Sequence, residues 1–138
     1  MASNTKVANI LRDYRDYTMI CAGVFDDMVA TLVLENKEAI LERNRQIVEE
    51  NLALMDVWIA KEPKASWIRP ASVSTSFVKL DVDRPIEEFA LELLQEYGVL
   101  VVPGNRFDKE SHVRIGYCCD KEVLQKGLEK LSQFLNKC

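Results

Sequence analysis

Arg114 is the residue whose type and position most directly suggest chemistry in this sequence. It stands in the middle of the apolar run HVRIGYCC, residues 112–119, which has the composition of a buried strand. A guanidinium in such a segment needs an anionic partner, because burying it alone is costly. Its planar shape suits a two-pronged hydrogen bond to a carboxylate. The residues alone leave two partners open, a ligand carboxylate or an internal acid such as Glu87 or Glu92, and composition favours the internal acid.

The other residue types that could act in catalysis lack partners at a useful spacing. His112 is the only histidine, and no neighbour in the sequence could orient its ring for a Ser-His or Cys-His pair, which favours a solvent-facing histidine at a strand edge. Asp26 and Asp27 are adjacent in a predicted helix and therefore do not share a face. The five glycines form neither of the phosphate-binding patterns GxxxxGK and GxGxxG. By itself the sequence predicts no catalytic residue in this chain.

Four cysteines are spread through the chain, at Cys21, Cys118, Cys119 and Cys138. They form no CxxC pair and no His/Cys cluster at metal-ligand spacing, so we expect no metal-binding residues. The adjacent Cys118 and Cys119 would point to opposite faces of a strand, which predicts one buried thiol and one less buried thiol. Unpaired thiols of this kind are typical of the reducing cytoplasm, where we expect the protein to reside.

Length and composition indicate a globular protein. The chain has 138 residues, enough for one ordinary domain with or without a smaller appendage, and 48% of them are hydrophobic and 29% charged. Its net charge of −4 argues against nucleic acid as the main partner, because phosphate binding needs a basic face. The first residues do not resemble a signal peptide, and no apolar run reaches the ~20 residues of a membrane helix. We therefore expect neither nucleic acid nor a membrane as a partner.

The first part of the sequence has helical periodicity. Residues 1–19 contain an amphipathic helix with its cap at Asn4 or the following threonine, and residues 20–35 are apolar on most faces. A helix that is apolar nearly all round is buried on several sides, so part of this surface is expected to face another domain or subunit. Residues 36–61 then predict a long amphipathic helix, which the proline at position 63 stops.

From Pro63 onward the pattern changes to short strands and two further helices. Gly98 is expected to end the first of these helices as a C-cap, and Asp120 to cap the second. We expect the α+β fold class, with a small and mostly antiparallel sheet that has helices on one face. The predicted elements are strands at 65–69 and 74–81, a helix at 85–97, a short strand at 99–102, a loop at 105–111, a strand at 112–119 and a helix at 120–138. The last helix has a predicted apolar stripe of Val123, Leu124, Leu128, Leu131 and Leu135.

The order of these motifs resembles the C-terminal part of the fold-type I pyridoxal-phosphate-dependent aminotransferases, the class I/II group related to aspartate aminotransferase. In that family a helix ends at a glycine, a strand leads to a P-G-x-x-F loop, and the next strand carries an arginine followed by a hydrophobic and a small residue. The matching positions here are Gly98, then Pro103, Gly104 and Phe107, and then Arg114. An acid-capped amphipathic helix completes the match.

The resemblance covers essentially all 138 residues and implies a division of the chain. Residues 1–35 are similar to helices of the large cofactor-binding domain, and residues 36–61 to the long interdomain helix. Residues 62–138 are similar to the α+β small domain. One departure is the segment PASVSTSF, residues 70–77, which stands where many members have a glycine-rich P-x-G-G stretch and leaves the choice of substrate side chain open.

The resemblance also implies a function. Arg114 matches the arginine that binds the α-carboxylate of the substrate, and the reaction is the transfer of an amino group between an amino acid and a 2-oxo acid. The cofactor would be pyridoxal 5'-phosphate, whose Schiff-base lysine lies upstream in family members, since Lys6 is already beyond that position. We therefore expect no catalytic or cofactor-binding residue in this chain, a fragment that is inactive alone, and a homodimer as the assembly.

Two other functions are open at this stage. The chain could be a free-standing α+β module for ligand binding or dimerisation, in which Arg114 would recognise an acidic small molecule. It could also belong to a transcription regulator with an aminotransferase-like effector half. The family resemblance ranks both below the aminotransferase, and it reverses the preference for an internal acid as the partner of Arg114.

Overall fold

The computed structural model describes residues 4–19, 21, 23–71 and 73–137. The chain divides into two compact units, residues 1–41 and residues 42–138. The elements are helices α1 (Thr5–Thr18), α2 (Val24–Glu35), α3 (Lys37–Lys61), α4 (Ile86–Tyr97) and α5 (Lys121–Leu135), strands β1 (Ala65–Trp67), β2 (Thr75–Leu80), β3 (Val102–Pro103) and β4 (His112–Gly116), and a 3-10 helix (Gly104–Phe107).

The first unit is helical, as the periodicity predicts. Asn4 is the cap of α1, because its side-chain oxygen accepts hydrogen bonds from the backbone N–H groups of Lys6 at 3.0 Å and Val7 at 3.3 Å. Helix α2 has no buried residue, and apolar side chains such as Phe25 are exposed in this single chain. The sequence predicts that another domain or subunit covers this surface, and that stays a prediction.

The second unit has the predicted α+β architecture. Its sheet has the strand order β1-β2-β4-β3, and every neighbouring pair is antiparallel. Alternate residues of the two central strands are buried, among them Val78, Leu80, Val113 and Ile115, while the residues between them lie on the opposite face. The buried residues form one core with the apolar sides of α4, α5 and the second half of α3. The expected fold class, with helices on one face of a small antiparallel sheet, is therefore confirmed.

The caps of these helices lie at the predicted residues, although α5 ends at Leu135 and not at residue 138. Gly98 ends α4 with φ of 66°, the left-handed conformation that glycine adopts at low cost, and the Asp120 carboxylate caps α5 by accepting a hydrogen bond from the backbone N–H of Glu122 at 2.9 Å. The apolar stripe of α5 differs at one position. Val123 is 62% exposed and Phe134 is buried instead, because Phe134 lies on the same side of the helix as Leu131.

Strand β4 ends at Gly116 and not at residue 119 as the sequence predicts. The last paired position of β2 is Thr75, which lies opposite Gly116, and beyond it the two segments share one backbone hydrogen bond, from the Tyr117 N–H to the Ser74 carbonyl at 3.0 Å. The following carbonyl groups bond to a buried side chain instead, because Nδ2 of Asn51 donates hydrogen bonds to the carbonyl oxygens of Tyr117 at 2.7 Å and Cys119 at 2.8 Å. A buried asparagine thus takes the place of a strand partner.

Two cysteines are less buried than the sequence predicts, because β4 ends at Gly116. Because both lie beyond the end of β4, Cys118 is exposed and Cys119 is only half-buried, so neither is the fully buried thiol that the strand assignment predicts. Burial, Asp120 and Cys118 raise the pKa of the Cys119 thiol. Cys21 is exposed, and Cys138 lies outside the described residues.

The predicted loop at 105–111 begins as a 3-10 helix. The loop is held in place at Gly104, where other backbone atoms of the loop and of β4 come close. The carbonyl oxygen of Gly104 accepts a hydrogen bond from the backbone N–H of Lys109 at 3.0 Å, which closes the loop. A Cβ atom at Gly104 would lie 2.2 Å from the carbonyl oxygen of Lys109 and 2.5 Å from that of His112. Only glycine fits at this point, and the loop that leads from β3 into β4 depends on it.

The replacement Gly104→Ala tests this close approach. The added methyl group would push two backbone carbonyls apart, and we expect a loss of about 1–3 kcal/mol in the free energy of unfolding of the chain, measured with urea. The matched control is Gly127→Ala in α5, where a Cβ atom meets nothing within 4 Å. There we expect a gain of about 0.5–1 kcal/mol, since alanine favours a helix interior. Equal stability of Gly104→Ala and the unmodified chain would contradict the steric argument.

Candidate functional site

The face of the sheet opposite the core carries the residues that could do chemistry. Phe77 of β2 pairs with Arg114 of β4, and Lys79 pairs with His112, so these four side chains lie together on one surface. We call this surface the open face. Its charged members are cations, and the rest of it is aromatic, which is a composition suited to an anion with an attached organic group.

Arg114 is exposed on the open face, although its sequence context suggests burial. Its neighbours Val113 and Ile115 are buried, and the alternation of a strand places the residue between them on the other side. The apolar composition of this segment therefore reflects a half-buried strand, and no desolvated charge has to be neutralised inside the core.

Neither of the internal acids considered from the sequence is the partner of Arg114. Glu87 accepts hydrogen bonds from Arg106 and, at 2.8 Å, from Nδ2 of Asn105. Glu92 pairs with Arg84 at 2.6 Å. Within residues 4–19, 21, 23–71 and 73–137, Arg114 belongs to no ion pair. Its five N–H donors are available to a ligand.

One aromatic ring contacts the guanidinium group, and two further rings continue from it. The guanidinium carbon of Arg114 lies 5.3 Å from the ring centroid of Phe107, within the range of a cation–π interaction. The Phe107 ring meets the Phe77 ring edge to face, with 5.8 Å between centroids and 86° between planes. The Phe77 ring in turn stacks on His112 at 5.0 Å and 19°. Three rings from three separate elements thus form a continuous row beside the arginine.

His112 is part of this row and not the solvent-facing strand-edge residue that the sequence favours. It is half-buried, and its Nδ1 atom is buried without a hydrogen-bond partner in the described part of the chain. Burial lowers its pKa, and the positive charges of Lys109 and Lys79 lower it further. The neutral ring is therefore the favoured form, which suits stacking on Phe77.

The other candidate residues do not assemble into a site. Asp26 and Asp27 are both exposed in the first turn of α2, and the backbone carbonyl of Asp27 accepts a hydrogen bond from the Thr31 side-chain hydroxyl at 2.9 Å. No group of three or more His, Cys, Asp and Glu residues suited to a metal ion occurs among the residues that the structure describes. The described helices also include none with the length and apolar character needed to cross a membrane.

Sequence reasoning identifies Arg114 and misses the aromatic row beside it. The local pattern indicates Phe107 only as part of a loop motif, and Phe77 only as a strand residue. The alternation of β4 signals that His112 and Arg114 share a face, since they are two residues apart. The contribution of Phe77 depends on the register between β2 and β4, which local sequence does not specify.

Comparison with known proteins decides the family. The sequence model of the family described as aminotransferase class I and II matches residues 1–131. The chain belongs to this family. The resemblance inferred from the motifs around Gly98, Gly104 and Arg114 is thereby confirmed.

Similar proteins share the fold over nearly the whole chain. A PLP-dependent aminotransferase from Streptococcus suis has a structure with a TM-score of 0.91 and 65% identity, covering 99% of this chain and 36% of its own. A probable N-acetyl-LL-diaminopimelate aminotransferase of Bacillus subtilis is 26% identical over 95% of this chain and 34% of its own length. Capreomycidine synthase of Streptomyces vinaceus is 27% identical over 88% of this chain and 31% of its own length. The chain thus spans about a third of the length of these relatives.

The lowered pKa of His112 predicts how stability depends on pH. The folded chain binds this proton less readily than the unfolded chain, whose histidine has its ordinary pKa of about 6.5. The contribution of His112 to stability is therefore complete above about pH 6.5 and is lost as the pH falls through and below that value. We expect the free energy of unfolding of His112→Gln to decline less between about pH 7.5 and pH 5 than that of the unmodified chain.

The control for this measurement is Lys79→Gln, which keeps the histidine and removes one of the two charges that lower its pKa. We expect its free energy of unfolding to decline with falling pH by an amount between those of the unmodified chain and His112→Gln. An NMR titration of the His112 ring reports the pKa directly. A value at or above that of free histidine would contradict the argument.

Proposed function

We propose that this chain is the C-terminal part of an aminotransferase that uses pyridoxal 5'-phosphate to move an amino group between an amino acid and a 2-oxo acid. Membership of the class I and II family supports this reaction. The coverage of about a third of each relative supports the interpretation of the chain as part of a longer enzyme. The observation that carries the proposal is Arg114, an exposed guanidinium on a central strand, with no acidic partner among the described residues.

In this proposal Arg114 binds the α-carboxylate of the amino-acid or 2-oxo-acid substrate. A guanidinium donates two parallel hydrogen bonds to a carboxylate, which fixes the direction of the substrate as well as its position. A strand is a rigid base for this contact, and β4 is paired on both sides, with β2 and with β3. Orientation of the bond that reacts at the substrate's α-carbon is what such a contact contributes to the rate.

We place no binding site for pyridoxal 5'-phosphate among the described residues. Gly104 is the one described glycine that other backbone atoms approach closely. The carbonyl groups of Lys109 and His112 fill the space beside it, so a phosphate does not fit there. Among the described residues, no lysine amine is a buried polar group without a partner. The cofactor withdraws electrons from the substrate when it is bound, and we place the residues that hold it in sequence upstream of this chain.

The division of the chain follows from the same proposal. Residues 1–35 would belong to the large cofactor-binding domain, residues 36–61 would form the interdomain helix, and residues 62–138 would form the small domain. The exposed apolar side chains of α2 agree with a helix that other parts of the enzyme or a second subunit cover, as in a homodimer. The free thiols of Cys21, Cys118 and Cys119 agree with a cytoplasmic enzyme.

Because the proposal places the cofactor-binding residues upstream, we expect the 138-residue chain to form no specific adduct. Incubation with pyridoxal 5'-phosphate and reduction with borohydride should label surface lysines sparsely, with no single site near one equivalent by peptide mass spectrometry. The Streptococcus suis enzyme is the control, and there we expect one strongly labelled lysine. Stoichiometric labelling of one lysine in this chain, with amino-group transfer, would show that the chain is active alone.

The role of Arg114 is testable in a hybrid enzyme, in which this chain replaces the matching C-terminal third of the Streptococcus suis protein. We expect Arg114→Gln to lower kcat/KM for amino acids by about 30- to 5000-fold, since about 2–5 kcal/mol of charge-assisted binding is lost. The larger part of the effect should fall on KM.

Arg69→Gln is the matched control for this substitution, because Arg69 is also exposed but already pairs with Asp56 at 2.9 Å. We expect its kcat/KM to stay within about twofold of the unmodified hybrid, as is usual for an exposed ion pair. If Arg114→Gln behaves like Arg69→Gln, Arg114 does not bind the carboxylate.

A further inference from the structure

Phe107 is the aromatic residue whose ring both contacts the Arg114 guanidinium and is itself held by another ring. The centroid distance is 5.3 Å to the guanidinium carbon and 5.8 Å to the Phe77 ring. Phe107 lies at the end of the 3-10 helix, so its backbone position depends on the loop that Gly104 closes.

An exposed arginine without an acidic partner would otherwise be free to change rotamer. Each immobilised long side chain has an ordering cost when a ligand has to fix its conformation. The contact with Phe107 restricts Arg114 before a ligand binds, and it does so without an acid that would compete with the ligand for the charge. Part of the ordering cost is then removed from substrate binding.

The type of contact leaves the hydrogen-bonding capacity of Arg114 intact. A cation–π interaction is an attraction between the positive charge and the electron-rich face of the ring, and it uses none of the five N–H donors of a guanidinium. A bidentate ion pair with a neighbouring acid would occupy two of them. Phenylalanine therefore orients this arginine while keeping its donors available for a carboxylate.

The ring of Phe107 is fixed by its own contacts. Its edge-to-face contact with Phe77 lies in the preferred geometry for aromatic pairs, and Phe77 is stacked on His112. The row joins the loop to β2 and β4, so the ring that supports Arg114 rests on the two central strands of the sheet. A leucine would fill similar space but has no electron-rich face.

We propose that Phe107 is a positioning residue, which holds the guanidinium of Arg114 ready for the substrate carboxylate through its ring face. This inference rests on the proposed function of Arg114. It adds that the loop after β3 contributes to substrate affinity without touching the substrate.

The test is a double-mutant cycle in the hybrid enzyme described above, with KM and kcat measured for an amino-acid substrate. We expect Phe107→Leu to raise KM by about 2- to 10-fold with kcat changed less than twofold, since the lost contact affects binding of the carboxylate. Phe107→Tyr keeps the ring face and should restore KM to within about twofold. In the Arg114→Gln background, Phe107→Leu should have no further effect.

A second measurement covers the case in which Phe107→Leu does not fold in the hybrid. In the 138-residue chain the guanidinium group of Arg114 lies near the Phe107 ring, and the NMR resonance of its Nε proton should carry a ring-current shift. This shift should persist in Phe107→Tyr and disappear in Phe107→Leu or Phe107→Met. An unchanged resonance in the variants without a ring would overturn the contact.

The kinetic outcomes separate the two proposals. If Arg114→Gln lowers kcat/KM but Phe107→Leu leaves KM unchanged, the positioning role is wrong and the carboxylate role of Arg114 stands. If Phe107→Leu raises KM by the same factor in the unmodified hybrid and in the Arg114→Gln background, Phe107 acts on the fold and not through the arginine, which also overturns the positioning role. If Arg114→Gln itself has no effect, the proposed function fails and the positioning role fails with it.

Discussion

The antiparallel pairing of β2 with β4 is the constraint on which the rest of the second unit depends. Its register places Val78 opposite Val113 on the core side and Phe77 opposite Arg114 on the open face. Because side chains alternate along a strand, a shift of one residue in either strand would exchange the two faces. The arginine would then enter the core and a buried valine would leave it. The apolar contacts of the core and the exposed position of Arg114 are thus set by the same register.

Buried polar contacts attach the second half of α3 to this sheet and to α5. Asn51, which is 1% exposed, donates hydrogen bonds to the carbonyl groups of Tyr117 and Cys119, just after the strand that carries Arg114. Further along α3, Nε1 of Trp58 donates to the Ser132 hydroxyl at 2.8 Å, and that hydroxyl donates to the buried Glu62 carboxylate at 2.7 Å. Each of these groups would be costly to bury unpaired, which gives the packing a specificity that apolar contacts alone do not supply.

The family relationship concerns the type of reaction, whereas the geometry of the open face concerns how a substrate would bind. The relatives that match this chain include aminotransferases and a synthase, so one fold accompanies more than one named reaction. A carboxylate-binding arginine is compatible with this variety, because it would recognise the part of an amino acid that all such substrates share.

Local sequence predicted most of the elements and one candidate functional residue. Helical periodicity, the caps at Asn4 and Asp120 and the glycine at position 98 predict the helices nearly to their ends, because these signals act within a turn or two of the chain. Motif order identified Arg114 and the family. Tertiary structure alone decided that Arg114 is exposed, that Asn51 bonds the carbonyl groups beyond β4, and that Phe107 lies against the guanidinium. These contacts join residues far apart in the chain, and their geometry follows from strand register and loop closure, for which a single sequence has no local signal.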